Sequence, residues 1–282
     1  MQIMSRIREY IGNSVLVPFY ARYVRRLAAL HSLYGLLWRV YCRMFGPSNG
    51  ILRINAGGQT VNFYVHTQAF KEKLMSFDGE IQLLNDFMEI LKPGDTVWDI
   101  GAEIGLYTLF LSQVVGEQGN IIAFEPENSS YAKLMANLRL NNINNVHVLR
   151  QALGDCTGES RLFVGRMGAA PGLTALTKEN SPYHSMQKVE VIDGDTIREI
   201  MSLPIPDAVK IDVEGYEYNV IRGLKKTLGD AICRTVCCEI HPLMLPDGIT
   251  DIDVINLLKS CGFNKLETFS RNETYHVFCS KK

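Results

Sequence analysis

The stretch Asp95-Thr-Val-Trp-Asp-Ile-Gly-Ala-Glu-Ile-Gly-Leu-Tyr-Thr108 decides how the rest of the chain is read. Thr96 to Ile100 is a short apolar run, partly β-branched and carrying Asp99 near its end. It suits a strand buried on both faces better than the alternating pattern of a half-wet one. Gly101 and Gly105 follow at once, and from Ile104 onward Leu106, Tyr107, Leu109, Phe110, Leu111, Val114 and Val115 take up helical spacing. Strand, glycine-bearing loop and helix, in that order, open a nucleotide-type site.

Gly101 lets a ligand approach the backbone, and Gly105 lets the helix begin tightly against the strand. Asp99, at the carboxyl end of the strand, can accept hydrogen bonds from a cationic or hydroxylated ligand. Residues 120–126 read as a second buried strand ending in an acid, and Glu125 is placed to grip a ribose diol with both oxygens. The spacing Asp-x-Gly-x-x-x-Gly is not the Gly-x-Gly-x-x-Gly of dinucleotide sites, where three glycines bring a helix N-terminus onto a pyrophosphate. An acid here stands where a pyrophosphate would be repelled. A positively charged nucleoside fits better, and S-adenosylmethionine is the obvious candidate.

The chain has 282 residues, 46% apolar and 21% charged, with a net charge of −1. That is material for a sizeable core with no overall pull toward nucleic acid, which is not an expected partner. Cys42, Cys156, Cys233, Cys237, Cys238, Cys261 and Cys279 form neither a disulfide framework nor a paired zinc signature, so a reducing cytoplasmic setting is expected.

Residues 1–48 read as a basic helical extension to a single domain over 49–282. Arg6, Arg8, Arg22, Arg25, Arg26, Arg39 and Arg43 face only Glu9 within residues 1–46. Leu30, Leu33, Tyr34, Leu37, Trp38, Tyr41 and Phe45 share one helical face that ends at Gly46-Pro47. The apolar run between Arg26 and Arg39 is shorter than the about 20 residues a bilayer span needs. The face fits packing on the catalytic domain or on a second subunit, as in a homodimer. It also fits a peripheral seat on the anionic inner membrane surface beside a lipid-linked or glycan acceptor.

Further along, 51–55 and 60–66 form a hairpin about Ala56-Gly-Gly-Gln59, and 79–91 a helix. After Glu125 come a helix over 129–140 and a third strand over 146–152. Asp155, just beyond, is placed either for the adenine end of a cofactor or as a plain turn aspartate. Strands over 161–164 and 188–192 flank a loop over 165–187 that reads as a lid, with Tyr183 and His184 in reach of a substrate. In a strand over 208–213, Lys210, Asp212 and then Glu214 fall on alternating positions and point one way. They are functional, or Lys210 and Asp212 are a buried structural pair. A strand over 232–240 closes on Glu239-Ile-His241-Pro242, where His241 is suited to proton transfer or is simply a loop residue. A helix over 254–258 and strands over 263–269 and 275–278 complete the chain. Alternating strands and helices give an α/β fold with a mainly parallel, doubly wound, Rossmann-like sheet.

Five blocks carry a resemblance. Asp99-Ile-Gly-Ala-Glu-Ile-Gly-Leu-Tyr-Thr108, Ala123-Phe-Glu-Pro126, Ala152-Leu-Gly-Asp155, Lys210-Ile-Asp-Val-Glu-Gly215 and Glu239-Ile-His-Pro242, in order from about Gly79 to the C-terminus, resemble the FkbM family of class I methyltransferases. That resemblance implies S-adenosylmethionine as cofactor, an antiparallel pair at the C-terminal sheet edge, and O-methylation of a sugar or lipid-linked glycan. The family usually has Asn in place of Glu103. The extra carboxylate is either an added hold on the sulfonium or amino group or the mark of a differently tuned loop.

On this reading an acceptor hydroxyl displaces the methyl group in line, and the protein aligns the atoms and handles the acceptor proton. Asp99, Gly101, Glu103 and Gly105 hold the methionine moiety, Glu125 the ribose and Asp155 the adenine region. Asp212, Glu214, Glu239 and His241 surround the acceptor. His241 or Asp212 is the base, and Lys210 eases the charge on a developing alkoxide. A divalent metal on Asp212, Glu239 and His241 suits their donor chemistry without being required by it. A nicotinamide-dependent oxidoreductase is disfavoured by the missing third glycine. A degenerate methyltransferase fold that binds membranes or partners is opposed by acids at four strand ends.

Overall fold

The structure, a computed structural model, describes residues 50–65, 74, 80–164, 185–271 and 273–281. The basic N-terminal extension and most of the expected lid, Tyr183 and His184 included, lie outside the described residues. The chain divides into two compact units between Glu89 and Ile90.

In the first unit, β1 (Ile51–Ala56) and β2 (Gln59–Tyr64) pair antiparallel, with Ala56 opposite Gln59. The two-residue turn is Gly57-Gly58, at φ 52° and 77°. Positive φ at both central positions is what a tight hairpin needs to match strand twist. Helix α1 (Ile81–Ile90) follows, burying Leu83, Leu84, Phe87 and Met88.

The second unit is built on a seven-stranded sheet. In chain order its elements are β3 (Thr96–Ile100), α2 (Leu106–Val115), β4 (Asn120–Phe124), α3 (Asn128–Leu140) and β5 (Val146–Leu149). Next come β6 (Ala152–Gly154), β7 (Gly158–Val164), β8 (Ser185–Asp193) and α4 (Gly194–Ile200). They are followed by β9 (Ala208–Ile211), α5 (Glu217–Gly223), α6 (Lys225–Gly229) and β10 (Thr235–Ile240), then α7 (Asp251–Ser260), β11 (Lys265–Arg271) and β12 (Thr274–Ser280).

The sheet order is β11-β12-β10-β9-β3-β4-β5. From β10 to β5 every neighbouring pair is parallel, and only β12 runs against the rest. Every residue of β3, β9 and β10 is buried. Helices on both faces leave no wet side, so these strands read as continuous apolar runs. Trp98 packs on Phe124 with ring centroids 5.3 Å apart, within a core that also holds Ile100, Ile122, Val209, Ile211 and Val236.

Side chains close the ends. Glu127 caps α3 by accepting from the Ser129 and Ser130 N–H groups at 2.8 and 2.6 Å, and Thr250 and Asp253 form a capping box at α7. At the amino ends of the sheet, Arg234 bridges Asp207 at 2.5 Å and also Asp95, while Asp207 accepts from the Thr96 N–H at 2.9 Å. This clamp fixes the stagger of β3, β9 and β10 from the end opposite the site.

The structure corrects three details of the sequence reading. The third strand, expected over 146–152, splits. β5 stays in the main sheet, while β6 leaves to pair with β8 in a three-stranded sheet, where Ala152, Leu162, Val189 and Val191 make a small core. Hydrophobic runs say that a segment pairs but not with what. The loop before β8 ends by Ser185, so residues 185–187 are strand. Strand β9 stops at Ile211, so Asp212 and Glu214 lie in a loop and their common direction does not come from strand alternation. Among the described residues, no helix is long and apolar enough to cross a membrane.

Candidate active site

Four adjacent strands, β10, β9, β3 and β4, point their carboxyl ends the same way, and the loops leaving them assemble one site. The chain reverses direction of build at β3, where β4 lies on one side and β9 on the other. A crevice opens at such a switch point because the two loops diverge there.

The β3 loop turns on Gly101, at φ 84°. A Cβ there would sit 1.8 Å from the backbone oxygen of Asp212. The glycine therefore lets the β3 and β9 exits pass at backbone contact, a requirement within the fold that does not need a ligand. Gly105, at φ 91°, begins α2, and a Cβ on it would lie 2.4 Å from Leu109 Cδ1 and 2.5 Å from Leu134 Cδ1. This is the tight helix start that the spacing foretold.

Asp99 is 2% exposed and accepts a hydrogen bond from the Thr108 hydroxyl on α2. Burial pushes its pKa up to about 6 against the opposing pull of Thr108 and Lys210. Lys210 stands opposite it in the β3–β9 register. It is 1% exposed, with Nζ 3.3 Å from Asp212 Oδ2 and 4.8 Å from the Tyr107 ring centre. The buried ammonium is thus enclosed by a carboxylate and an aromatic face.

Glu125 accepts from two backbone N–H groups, Glu103 on Oε2 and Glu127 on Oε1, each at 2.7 Å. Burial raises its pKa to about 8, and these two bonds work in the other direction. The first bond ties the β3 loop to the β4 loop. It is made from a strained residue: Glu103 has φ 49°, in the left-handed region that disfavours a side chain other than Asn, Asp or Gly. The usual asparagine of the family suits that conformation. Glu103→Asn is accordingly expected to raise stability by about 1 kcal/mol, read as a higher urea midpoint. No change would mean that the loop relaxes the strain in another way.

The β9 loop has its own reversal. Asp212 donates its N–H to Ile100 O at 2.9 Å. Glu214 then takes φ 51° and Gly215 φ 97°, where a Cβ would lie 2.4 Å from Met244 O. The turn brings Glu214 Oε2 to 3.3 Å from His241 Nε2. Burial and the charge of Asp212 raise Glu214 to about 7. His241, 4% exposed, is held at Nδ1 by Glu217 Oε1 at 2.7 Å. Burial alone would lower the imidazole pKa, but the Glu217 bond and the carboxylates of Asp212, Glu217 and Glu214 prevail and lift it to about 9.

A continuous line of contacts therefore runs from Glu125 through Glu103 and Gly101 to Asp212, Glu214 and His241. Two expected members turn elsewhere. Asp155 is engaged by Asn219 Nδ2 at 3.1 Å and Arg222 at 3.2 Å, both on α5. Glu239 faces β12, accepting from the Thr274 hydroxyl at 2.8 Å with His276 Nε2 at 3.1 Å, and stays 3.8 Å from His241 Nε2. Donor atoms of Asp212, Glu214 and His241 come within 4.8 Å of one another. Beside Asp212 and His241, Glu214 stands where the donor set considered for a divalent metal had Glu239.

Sequence reasoning passed over Glu217, Thr108 and Tyr107. Glu217 is fully buried and also accepts from the Gly215 N–H at 2.8 Å. A glutamate in the first turn of a helix reads as a solvated residue. Its position two residues after Gly215 was the available signal.

The model of the FkbM methyltransferase domain matches residues 99–265, the span that holds this line of contacts. The chain belongs to that family. A hexuronic acid methyltransferase of Haloferax volcanii, AglP, is 27% identical over 221 residues, covering 78% of this chain and 85% of the relative. Methyltransferase 1 of Beauveria bassiana is 27% identical over 161 residues, covering 51% of this chain and 64% of the relative. Among solved structures, the precorrin-6y C5,15-methyltransferase of Geobacter metallireducens is 15% identical, with a TM-score of 0.45, over 72% of this chain and 89% of that one. As an FkbM methyltransferase the protein takes its methyl group from S-adenosylmethionine.

Proposed function

We propose that this FkbM methyltransferase O-methylates a sugar, with a hexuronic acid or a glycan containing one as the acceptor class. The observation that carries the reading is the unbroken line of contacts across four adjacent strand ends, which sets a nucleoside-gripping acid at one end and a proton-handling group at the other. The relative that methylates hexuronic acid supports the choice of acceptor.

In this reading Glu125 grips the ribose with the lone pairs its two backbone bonds leave open, and the loop of Gly101, Glu103 and Gly105 lies against the methionine end. Asp99 holds that loop through Thr108. The adenine falls to the segment after β5, which abuts the ribose acid: the Glu125 N–H donates to Leu149 O at 3.0 Å. Gln151 there has a buried Oε1 with no hydrogen-bond partner. Asp155 anchors α5 instead.

The acceptor hydroxyl sits before Glu214 and His241. Glu214, raised to about 7, is matched to proton transfer near neutral pH, and His241, held as imidazolium by Glu217, steadies the charge that develops beside it. The oxygen attacks the methyl carbon in line, and the carbon–sulfur electrons leave on sulfur. Lys210, paired with Asp212, sets the position of that carboxylate.

Purified protein with methyl-labelled S-adenosylmethionine and oligosaccharides containing hexuronic acid is expected to place label on a ring hydroxyl. Label on an amine, a thiol or a nucleic acid, with none on sugar, would refute the acceptor assignment. Glu125→Ala is expected to weaken S-adenosylhomocysteine binding by about 1 to 3 kcal/mol in calorimetry, since it removes the ribose acceptor and frees two buried N–H groups. Unchanged affinity would remove Glu125 from the site.

Residues 1–46, basic and aromatic, are the part of the chain suited to an anionic membrane surface or a second subunit.

A further inference from the structure

The carboxyl-end crevice holds more negative charge than its cations offset. Asp212, Glu214 and Glu217 gather about one imidazole, while Lys210 pairs with Asp212 and Glu239, engaged by Thr274 and His276, stands 3.8 Å from the same ring. Glu217 is fully buried, and its Oε2 has no hydrogen-bond partner.

The geometry points to a divalent cation bound by Asp212, Glu214 and His241, which holds the acceptor sugar by two adjacent oxygens. The three donor atoms lie within 4.8 Å of one another. Atoms bonded to one cation at about 2.0–2.6 Å lie within about 5 Å of one another, which these separations match. The second observation is the way His241 is presented. Glu217 Oε1 holds Nδ1 at 2.7 Å, which leaves Nε2 to face Glu214 Oε2 at 3.3 Å. A carboxylate that fixes the far nitrogen of an imidazole is the usual outer support of a metal-ligating histidine. Two carboxylates and one imidazole suit Mn²⁺ or Mg²⁺.

Three protein donors leave about three positions of an octahedron open. Two neighbouring ones match a vicinal diol, or the carboxylate and adjacent hydroxyl of a hexuronic acid. The inference rests on the methyl-transfer reading of this crevice and changes two roles within it: with the cation bound, His241 ligates through a deprotonated Nε2 and Glu214 through its carboxylate. A hydroxyl bound to the cation releases its proton to water, so Glu214 acts as a ligand and not as the base. The oxygen forms its bond to the methyl carbon, and the carbon–sulfur bond breaks with its electrons on sulfur, leaving neutral S-adenosylhomocysteine.

The test is titration of metal-stripped protein with Mn²⁺, followed by electron paramagnetic resonance. Wild type is expected to bind one Mn²⁺ per chain, and Asp212→Asn/Glu214→Gln to bind it at least tenfold more weakly, with unchanged circular dichroism. Calorimetry with S-adenosylhomocysteine on the same samples separates the two readings. Equal Mn²⁺ affinity in wild type and double variant overturns the cation site, as does full methylation in EDTA, and either leaves methyl transfer standing if the homocysteine derivative still binds. If wild type fails to bind that derivative, the methyl-transfer reading falls instead. Should the double variant not fold, Glu217→Gln provides the comparison: it keeps the shape but makes a poorer support for His241, and a Mn²⁺ affinity equal to wild type would overturn the site.

Discussion

Gly101→Ala is expected to cost about 2–5 kcal/mol of folding stability, from the left-handed backbone strain together with forced overpacking. The methyl group would sit 1.8 Å from the backbone oxygen of Asp212, and a carbonyl held in the β3–β9 junction has no rotamer by which to move aside. Gly94→Ala is the matched control. Its φ is 91°, yet nothing lies within 4 Å of the added Cβ, so only the backbone term of about 1 kcal/mol applies. Urea denaturation should therefore place Gly101→Ala well below Gly94→Ala. Because the strain displaces Asp212, methylation should fall further than stability alone explains. Equal midpoints for the two variants would mean that the junction is loose, and the line of contacts across the strand ends would lose its central link.

His241→Ala is expected to lower kcat by about 10²–10³, the range for losing a donor that steadies charge developing in the transition state. S-adenosylhomocysteine affinity should stay within about twofold, because the residue stands with Glu214 and Glu217 at the acceptor end of the line. Glu217→Gln should lower kcat less, since it keeps the shape of the buried helix turn but weakens the hold on Nδ1 that directs the ring. A merely structural role for His241 would show as reduced stability and weakened cofactor binding in step. Full turnover by His241→Ala would remove the imidazole from the chemistry altogether.

Much of the site could be read before any coordinates, and the reasons are local. The Gly101 and Gly105 positions mark backbone conformations that side chains resist, and such demands are written in the residue type itself. Asp99 and Glu125 stand out because an acid closing a buried apolar run is costly without a purpose. The meaning of those residues was less legible. Gly101 proved to serve the Asp212 backbone, and Asp99 proved to lock strand to helix through Thr108. Glu239 and Asp155 look like site acids in sequence, yet their carboxylates are taken up by β12 and α5.

The sequence by itself determined the α/β alternation, the strands buried on both faces, the turn glycines and the acids at the strand ends. Each depends on periodicity or on backbone sterics within a few residues. Only the tertiary structure decided which acids share a crevice. It set β6 apart from β5, turned Glu214 toward His241 through a positive-φ reversal, and buried Glu217 behind that imidazole. Those outcomes depend on which distant segments pack together, and they arise from charge and burial that no local pattern encodes.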